Sequence, residues 1–344
     1  MLAEQSPSDI YARLLLPKKH GYPLWFPEPD EDLPPEYRSI GVDIGDVGTI
    51  TPDGAFDFLF NICHSADDPI NWLGVPDGFV PLTLQPGDVR RRSNMYAEGT
   101  HISSARICKV QLRDDEPAPG FKFECSGSTG AVLILPEGGS RVDLRKMGLF
   151  YQYSASNATA WYRFVNGPDL CRQAGNGSLY LVTGCDKSPA WGVASYSHPF
   201  GAPEGSLKFT AVGEEEDGST SLAYGWENYS SAAVRTGRRQ GRQSAAGPEL
   251  IFNQCVFIRG LRISLQPQLL RRLLGDKVKV EEAFNPLHEV KNNITSSLLK
   301  STTNSSYGKQ RLKKMDSANE SDVLIEHISD VSEVCPRCMT CTGR

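Results

Sequence analysis

The stretch VGTITPDGAFDFLFNI, residues 47–62, decides the fold class. Val47 to Thr51 and Ala55 to Ile62 are β-prone runs on either side of Pro52-Asp53-Gly54, a turn tripeptide, so together they read as a β-hairpin. Phe56, Phe58 and Phe60 recur at period two and must share one face. Asp57 and Leu59 fall on the other face, and the charge of Asp57 makes that face solvated at its centre. Outward from this hairpin, further strands are expected at Phe79 to Leu84, Ile102 to Leu112, Phe121 to Cys125 and Ala131 to Leu135. Later ones follow at Leu179 to Thr183, Gly192 to Tyr196, Leu207 to Val212, Ser221 to Trp226 and Gln254 to Leu265. Short apolar runs separated by Gly and Pro predict a mainly β fold, a β-sandwich or barrel-like, with a few short helices. No fixed period is present, which excludes a propeller or solenoid. Arg141 to Asn166 interrupts the strands with helix, since Leu144, Met147, Tyr151, Trp161 and Phe164 recur at helical intervals.

The regions flanking the β-rich part differ in kind. Residues 1–38 hold a short helix and a strap. Ser6 caps the helix, Pro7 fits its first turn, Ile10, Leu14 and Leu15 form one stripe, and Pro17 ends it. Pro23, Pro27, Pro29, Pro34 and Pro35 then forbid helix or central strand. Tyr22, Leu24, Trp25 and Phe26 are too apolar for a free linker, so this segment docks as a strap on the β-rich domain, residues 39–265. Residues 266–284 read as a short helical or turn segment. Residues 285–344 are polar and poor in apolar side chains, the composition of a disordered tail.

Composition excludes several classes. The 344 residues are 39% hydrophobic and 22% charged, enough for a sizeable core. A net charge of −5 gives no general attraction to nucleic acid or to an anionic membrane. No segment approaches the roughly 20 apolar residues needed to span a bilayer, so no transmembrane segment is expected. The first residues, MLAEQSPSDIYARLLLPKKH, lack the basic start and apolar core of a secretory leader. Asn-x-Ser/Thr triplets at Asn157, Asn176, Asn228, Asn293, Asn304 and Asn319 point the other way, but a Ser/Thr-rich chain makes them by chance. Of nine cysteines, an odd number, the first six are widely spaced and mostly flanked by strand-like residues, as buried free thiols are in a reducing compartment. The expected location is cytoplasmic.

The motifs that would name a chemistry are missing. Gly41-Val42-Asp43-Ile44-Gly45-Asp46-Val47-Gly48 lacks the dinucleotide spacing and opens a hairpin instead of a helix. Gly184-Cys185-Asp186-Lys187-Ser188 is not followed by the helix that a phosphate loop needs. No G-x-S-x-G elbow or H-E-x-x-H occurs, and no cofactor is expected. Arg90-Arg91-Arg92 and the run Arg235 to Arg242 lack interleaved aromatics in a chain that is acidic overall, so they read as solvated loops with no nucleic-acid partner. Cys335, Cys338 and Cys341 have metal-ligand spacing, but three thiolates leave a tetrahedral zinc site one ligand short. A Cys-His enzyme could be assembled from Cys185 or Cys63, with a base such as His198, His64 or His101 and Asp186 or Asp67 as orienter. Nothing in the spacing demands it.

The most suggestive stretch is SLYLVTGCDKSPAWGVASYS, residues 178–197. It reads as two strands around a loop carrying Cys185, Asp186, Lys187 and Trp191, and such loops present binding sites. The structural alternative has Asp186 capping a turn, Lys187 solvated and Trp191 over the sheet end.

IGDVGTITPDGAFDFLFNIC, SLYLVTGCDKSPAWGVASYS and NQCVFIRGLRISL together resemble a large family of uncharacterised proteins from mushroom-forming fungi, over about Tyr22 to Leu265. The resemblance implies an intracellular fungal protein and brings no catalytic residue with it. The resemblance implies an acidic segment with a His-Asp-Asp element after the last strand; this chain lacks it and ends in CPRCMTCTGR. The function expected from the sequence is a non-catalytic interaction module for a protein partner or small ligand, of undefined oligomeric state. Its alternatives are a hydrolase-type enzyme with a cysteine nucleophile and a membrane-acting, pore-forming-like protein whose Ser/Gly/Thr-rich strands, such as Tyr224 to Thr236, refold into amphipathic hairpins.

Overall fold

The computed structural model describes residues 5–110, 120–197, 205–216, 219–227, 232–239, 241–244, 247–265 and 278–283. Its first elements are helix α1 (Pro7–Leu15), strand β1 (Tyr22–Pro23), helix α2 (Pro35–Ile40), and strands β2 (Asp46–Ile50) and β3 (Phe56–Asn61). Then come β4 (Val89–Tyr96), β5 (Thr100–Ser103), β6 (Ile107–Val110), β7 (Gly120–Cys125), β8 (Thr129–Leu135) and β9 (Gly139–Leu144). Helix α3 (Met147–Asn166) precedes β10 (Leu179–Ser188), β11 (Trp191–Ser197), β12 (Gly205–Glu216), β13 (Ser219–Glu227) and β14 (Ala233–Gly237). The last are β15 (Gly241–Ser244), β16 (Gly247–Leu250), β17 (Gln254–Leu265) and β18 (Val278–Ala283). The fold is mainly β, and all the pairings are antiparallel.

The long strands β10 and β17 form the axis of the largest sheet. β10 pairs with β2 at Tyr180 and Leu181, then with β9 from Gly184 to Lys187, and β4 lies outside β9. The register shift between Val182 and Gly184 marks where β10 leaves one partner for the other. β2 and β3 extend this sheet, and one of its faces packs against α3 around Phe58, Phe60, Trp161 and Leu181. On the other face, Phe257, Val256 and Tyr96 pack with Tyr11 and Leu15 of α1 and with Leu133 and Val193 of a second sheet, ordered β14-β11-β8-β5. The far side of that second sheet shares a third apolar cluster with a sheet ordered β13-β12-β7-β6, built on Ile134, Phe123, Phe209 and Trp226. Trp226 donates to the Arg235 carbonyl and Ser103 to that of Ile107, which ties β13 to β14 and β5 to β6. These two sheets therefore share one apolar core between them.

Helix α1 begins where Ser6 accepts a hydrogen bond from the Asp9 amide, with Pro7 in the first turn. The strap is held by main-chain bonds: Leu24 N–H donates to the Val256 carbonyl, Trp25 N–H to that of Gly54, and Cys255 N–H to that of Pro27. Trp25 is buried and stacks edge-on against Tyr11.

Several expectations need correction. Phe79 to Leu84 is irregular: Pro81 denies it a ladder donor, Phe79 N–H closes a turn on the Pro76 carbonyl, and Leu82 N–H reaches the carbonyl of Ile62. The strand expected from Ile102 onward breaks at Arg106, which takes a left-handed φ of 69°, and the chain passes from the second sheet to the third. Arg141 to Leu144 is strand, and helix starts only at Met147. The hairpin's second face is not solvated at Leu59, which is fully buried, and Asp57 pairs with Arg172 at 3.6 Å. Arg90 to Arg92 lie in β4, and Arg235 lies in β14, not in loops. Within 266–284, Val278–Ala283 is a strand on the edge of β17, as its alternating Val-Lys-Val-Glu pattern allows; residues 266–277 lie outside the described residues. So does the expected tail, 285–344. Among the described residues no helix is long and apolar enough to cross a membrane, a statement that does not touch strands.

Candidate functional site

The residues Gly184 to Ser188 are not a loop. They continue β10, and only Pro189 and Ala190 separate β10 from β11. Strand alternation therefore splits the candidates: Gly184 and Asp186 project from one face of the sheet, Cys185 and Lys187 from the other.

On the first face, directly opposed residues build two rows. Asp186 stands between Arg141 on β9 and Phe257 on β17, and Gly184 between Asp143 and Arg259 on the same two strands. Glycine is needed in the second row. The Arg259 Nε–Asp143 Oδ1 pair, 2.8 Å, crosses over β10 at this point. A Cβ on Gly184 would lie 2.9 Å from both of those atoms.

Asp186 is fully buried and its two oxygens accept four hydrogen bonds from three side chains. Arg141 holds it two-pronged, Nε to Oδ1 at 2.8 Å and Nη2 to Oδ2 at 2.7 Å. Arg259 Nη1 donates to Oδ1 at 2.9 Å, and the Tyr96 hydroxyl to Oδ2 at 2.5 Å. Bidentate arginine–carboxylate pairs are among the strongest side-chain contacts, and here they join four strands. The strap is tied in as well, since Arg259 Nη1 also donates to the His20 carbonyl at 2.7 Å. His20 is set between Lys19, left-handed at φ 63°, and Gly21, φ 121°, where a Cβ would collide with the Ile258 carbonyl at 2.3 Å.

Proton positions follow from valence. The carboxylate only accepts, so the Tyr96 proton points to Asp186. The Tyr96 oxygen accepts from Arg141 Nη2 at 2.8 Å. His20 Nδ1 lies 2.9 Å from the Tyr96 oxygen and 3.1 Å from the same Nη2, which sets the ring against the cluster. Burial, reinforced chiefly by Arg141, lowers the His20 pKa and keeps the ring neutral at pH 7. Burial and the adjacent Asp186 carboxylate hold the Tyr96 phenol well above its ordinary range. A phenol that does not ionise, a carboxylate with four donors and a half-buried imidazole packed against them are suited to holding segments together, not to proton transfer.

The second face is sparse. Cys185 and Cys255 are both fully buried, and the Cys255 thiol donates to the Phe257 carbonyl at 3.2 Å. Burial, with Cys185 next to it, pushes the Cys255 thiol far above its ordinary pKa. Lys187 is buried, and its ammonium donates to the Ile40 carbonyl at 2.9 Å. Nearby, Asp46 accepts from Tyr37, the Asp43 amide and Asn61, while burial raises its carboxyl to about 7. Trp191 is fully buried and donates to Gln254 at 2.7 Å.

The structure thus does not bring the sequence candidates together in one pocket. Lys187 is not solvated, Asp186 caps no turn, and neither Cys185 nor Asp186 has a histidine as an acid–base partner on the cysteine face. Burial pushes the Cys63 thiol up to about 12, and no hydrogen bond joins it to His64, whose Nδ1 pairs with Asp68 at 2.9 Å. His101 packs beside Phe123. His198 lies outside the described residues, as do Cys335, Cys338 and Cys341. Among the described residues no group of three or more His, Cys, Asp or Glu could hold a metal ion. A groove of about 250 Å³ at the end of α3 is lined by Asp77, Arg163, Phe164 and Asp169, and none of the candidates borders it.

Sequence reasoning missed Arg141, Arg259, Tyr96 and His20. A signal was present: SRVDL and FIRGL each place a charge between apolar strand residues, and a charge inside a buried strand calls for a partner.

No family model matches this chain, and no curated protein matches it.

Proposed function

We propose that this chain is a non-catalytic, β-rich binding module that acts in the cytoplasm on a protein partner, without a cofactor. The observation that carries this reading is the split across β10. The adjacent residues Cys185 and Asp186 emerge on opposite faces, and the buried polar groups around them are engaged in structural bonds. A cysteine hydrolase needs a thiol with a depressed pKa, partial exposure and a base within hydrogen-bond reach. Cys185 is inaccessible and no histidine bonds it, while burial raises Cys63 and Cys255.

Thiol chemistry tests the reading. Iodoacetamide at neutral pH should modify Cys185 slowly in the folded protein and at the normal rate after unfolding. Rapid, stoichiometric alkylation of Cys185 in the folded chain would overturn the binding-module reading in favour of an enzyme.

A further inference from the structure

The two rows on the Asp186 face do not end at β9. In the β4–β9 ladder Arg92 stands directly opposite Arg141, and Arg90 directly opposite Asp143. Directly opposed residues of an antiparallel pair share a face. That face therefore runs Arg92–Arg141–Asp186 in one row and Arg90–Asp143–Gly184–Arg259 in the other. Four arginines meet two aspartates, and both carboxylates are already committed to Arg141 and Arg259. Arg91 projects from the opposite face. Arg90, Arg91 and Arg92 are exposed, and among the described residues none of them has an ion-pair partner.

Among the described residues the backbone beside these side chains is also unpaired. β4 pairs with β9 on one side and with no described strand on the other, and its residues from Arg90 to Asn94 are exposed. An arginine placed opposite another arginine is unfavourable in the free protein. A carboxylate brought alongside Arg92 from the outer edge offsets that repulsion, because guanidinium groups bind carboxylates two-pronged.

We propose that the outer edge of β4 docks an extended acidic segment of a partner polypeptide, which adds to the sheet as a strand. Main-chain bonds to this edge supply affinity, and carboxylates at alternate positions along the segment, which share one face, meet Arg90 and Arg92. A polypeptide fits better than a nucleic acid. The chain carries a net charge of −5, and β4 has no aromatic among its exposed residues on which bases could stack. The competing role for charge on an edge strand is to block aggregation. Either sign of charge serves that role, whereas docking requires cations.

The inference rests on the binding-module reading and has its own test. A fluorescently labelled, alternating Glu-Val octapeptide is titrated into the full chain and followed by anisotropy. Three comparisons accompany it: the same peptide N-methylated at alternate residues, a Lys-Val octapeptide, and a short oligothymidylate. Binding of the Glu-Val peptide should weaken as salt rises, and weaken at least about tenfold in the Arg90→Glu/Arg92→Glu variant, whose exposed substitutions leave the thermal midpoint unchanged. N-methylation should abolish it. Failure of the Glu-Val peptide to bind, equal binding by the charge-reversed variant or by the N-methylated peptide, or tighter binding of oligothymidylate would each overturn the proposal. Slow alkylation of Cys185 alongside any of these results would leave the broader binding-module reading standing.

Discussion

Cys185, Asp186 and Lys187 are consecutive and almost equally buried, yet the two faces of β10 treat them in opposite ways. On the Asp186 face, two arginines, a tyrosine and a backbone segment bearing His20 converge on one carboxylate, and every oxygen lone pair of Asp186 has a donor. On the Lys187 face, an ammonium with three donors has one carbonyl acceptor among the described residues, beside two thiols. The difference shows that burial alone does not mark a residue as structurally critical. What matters is how many other charges become unpaired when it is removed.

The largest effect should come from removing the hub. Asp186→Leu leaves Arg141, at 15% side-chain exposure, without a counter-ion and Arg259 with Asp143 alone, and should cost about 3–5 kcal/mol by denaturant titration. A loss below about 1 kcal/mol would mean that solvent satisfies the arginines and that the two faces do not differ.

A second test uses pH and belongs to the Lys187 face. Asp46 loses its proton near 3.8 when unfolded and near 7 when folded, so between those values the folded state holds the extra proton. Stability should therefore fall as pH rises from about 4 to 7, by at most about 4 kcal/mol from this group, and level off above. His20 gives the opposite slope. Its folded pKa lies below 6.5, so its contribution is lost as pH falls through that value. Comparison of Asp46→Asn with the parent isolates the first slope; an unchanged difference in midpoint across this range would refute it.

Gly184→Ala sharpens the contrast on the Asp186 face without touching a charge. The new methyl must push apart Arg259 and Asp143, and overpacking of this kind costs about 1–3 kcal/mol. A neutral result would show that the crossing pair can move aside freely. The smallest effect is expected at Lys187→Met, which replaces an under-bonded ammonium by an apolar chain of similar length. Thermal and denaturant unfolding should shift by less than about 1 kcal/mol in either direction. A loss comparable to that of Asp186→Leu would erase the distinction between the faces.

Local chemistry determined a good part of this molecule. Ser6 and Pro7 start a helix wherever they stand before an amphipathic run, and Pro52-Asp53-Gly54 turns the chain whatever lies around it. The period-two phenylalanines of β3 and the Gly/Pro spacing were enough for a mainly β fold. Pairing partners were another matter. The stretch around Asp186 has the composition of a loop, and it became the buried end of a ten-residue strand because β9 and β17 satisfy its backbone on both sides. Arg141, Arg259, Tyr96 and His20 are separated from Asp186 by 45, 73, 90 and 166 positions, and no local pattern encodes distances of that order. Register decided that they meet. The same register set Arg90 and Arg92 at the open rim of the sheet. The sequence by itself determined which residues turn, cap and alternate, since those depend on a few adjacent dihedral angles. Only the tertiary structure decided which charges share a face, because that depends on which strands lie side by side.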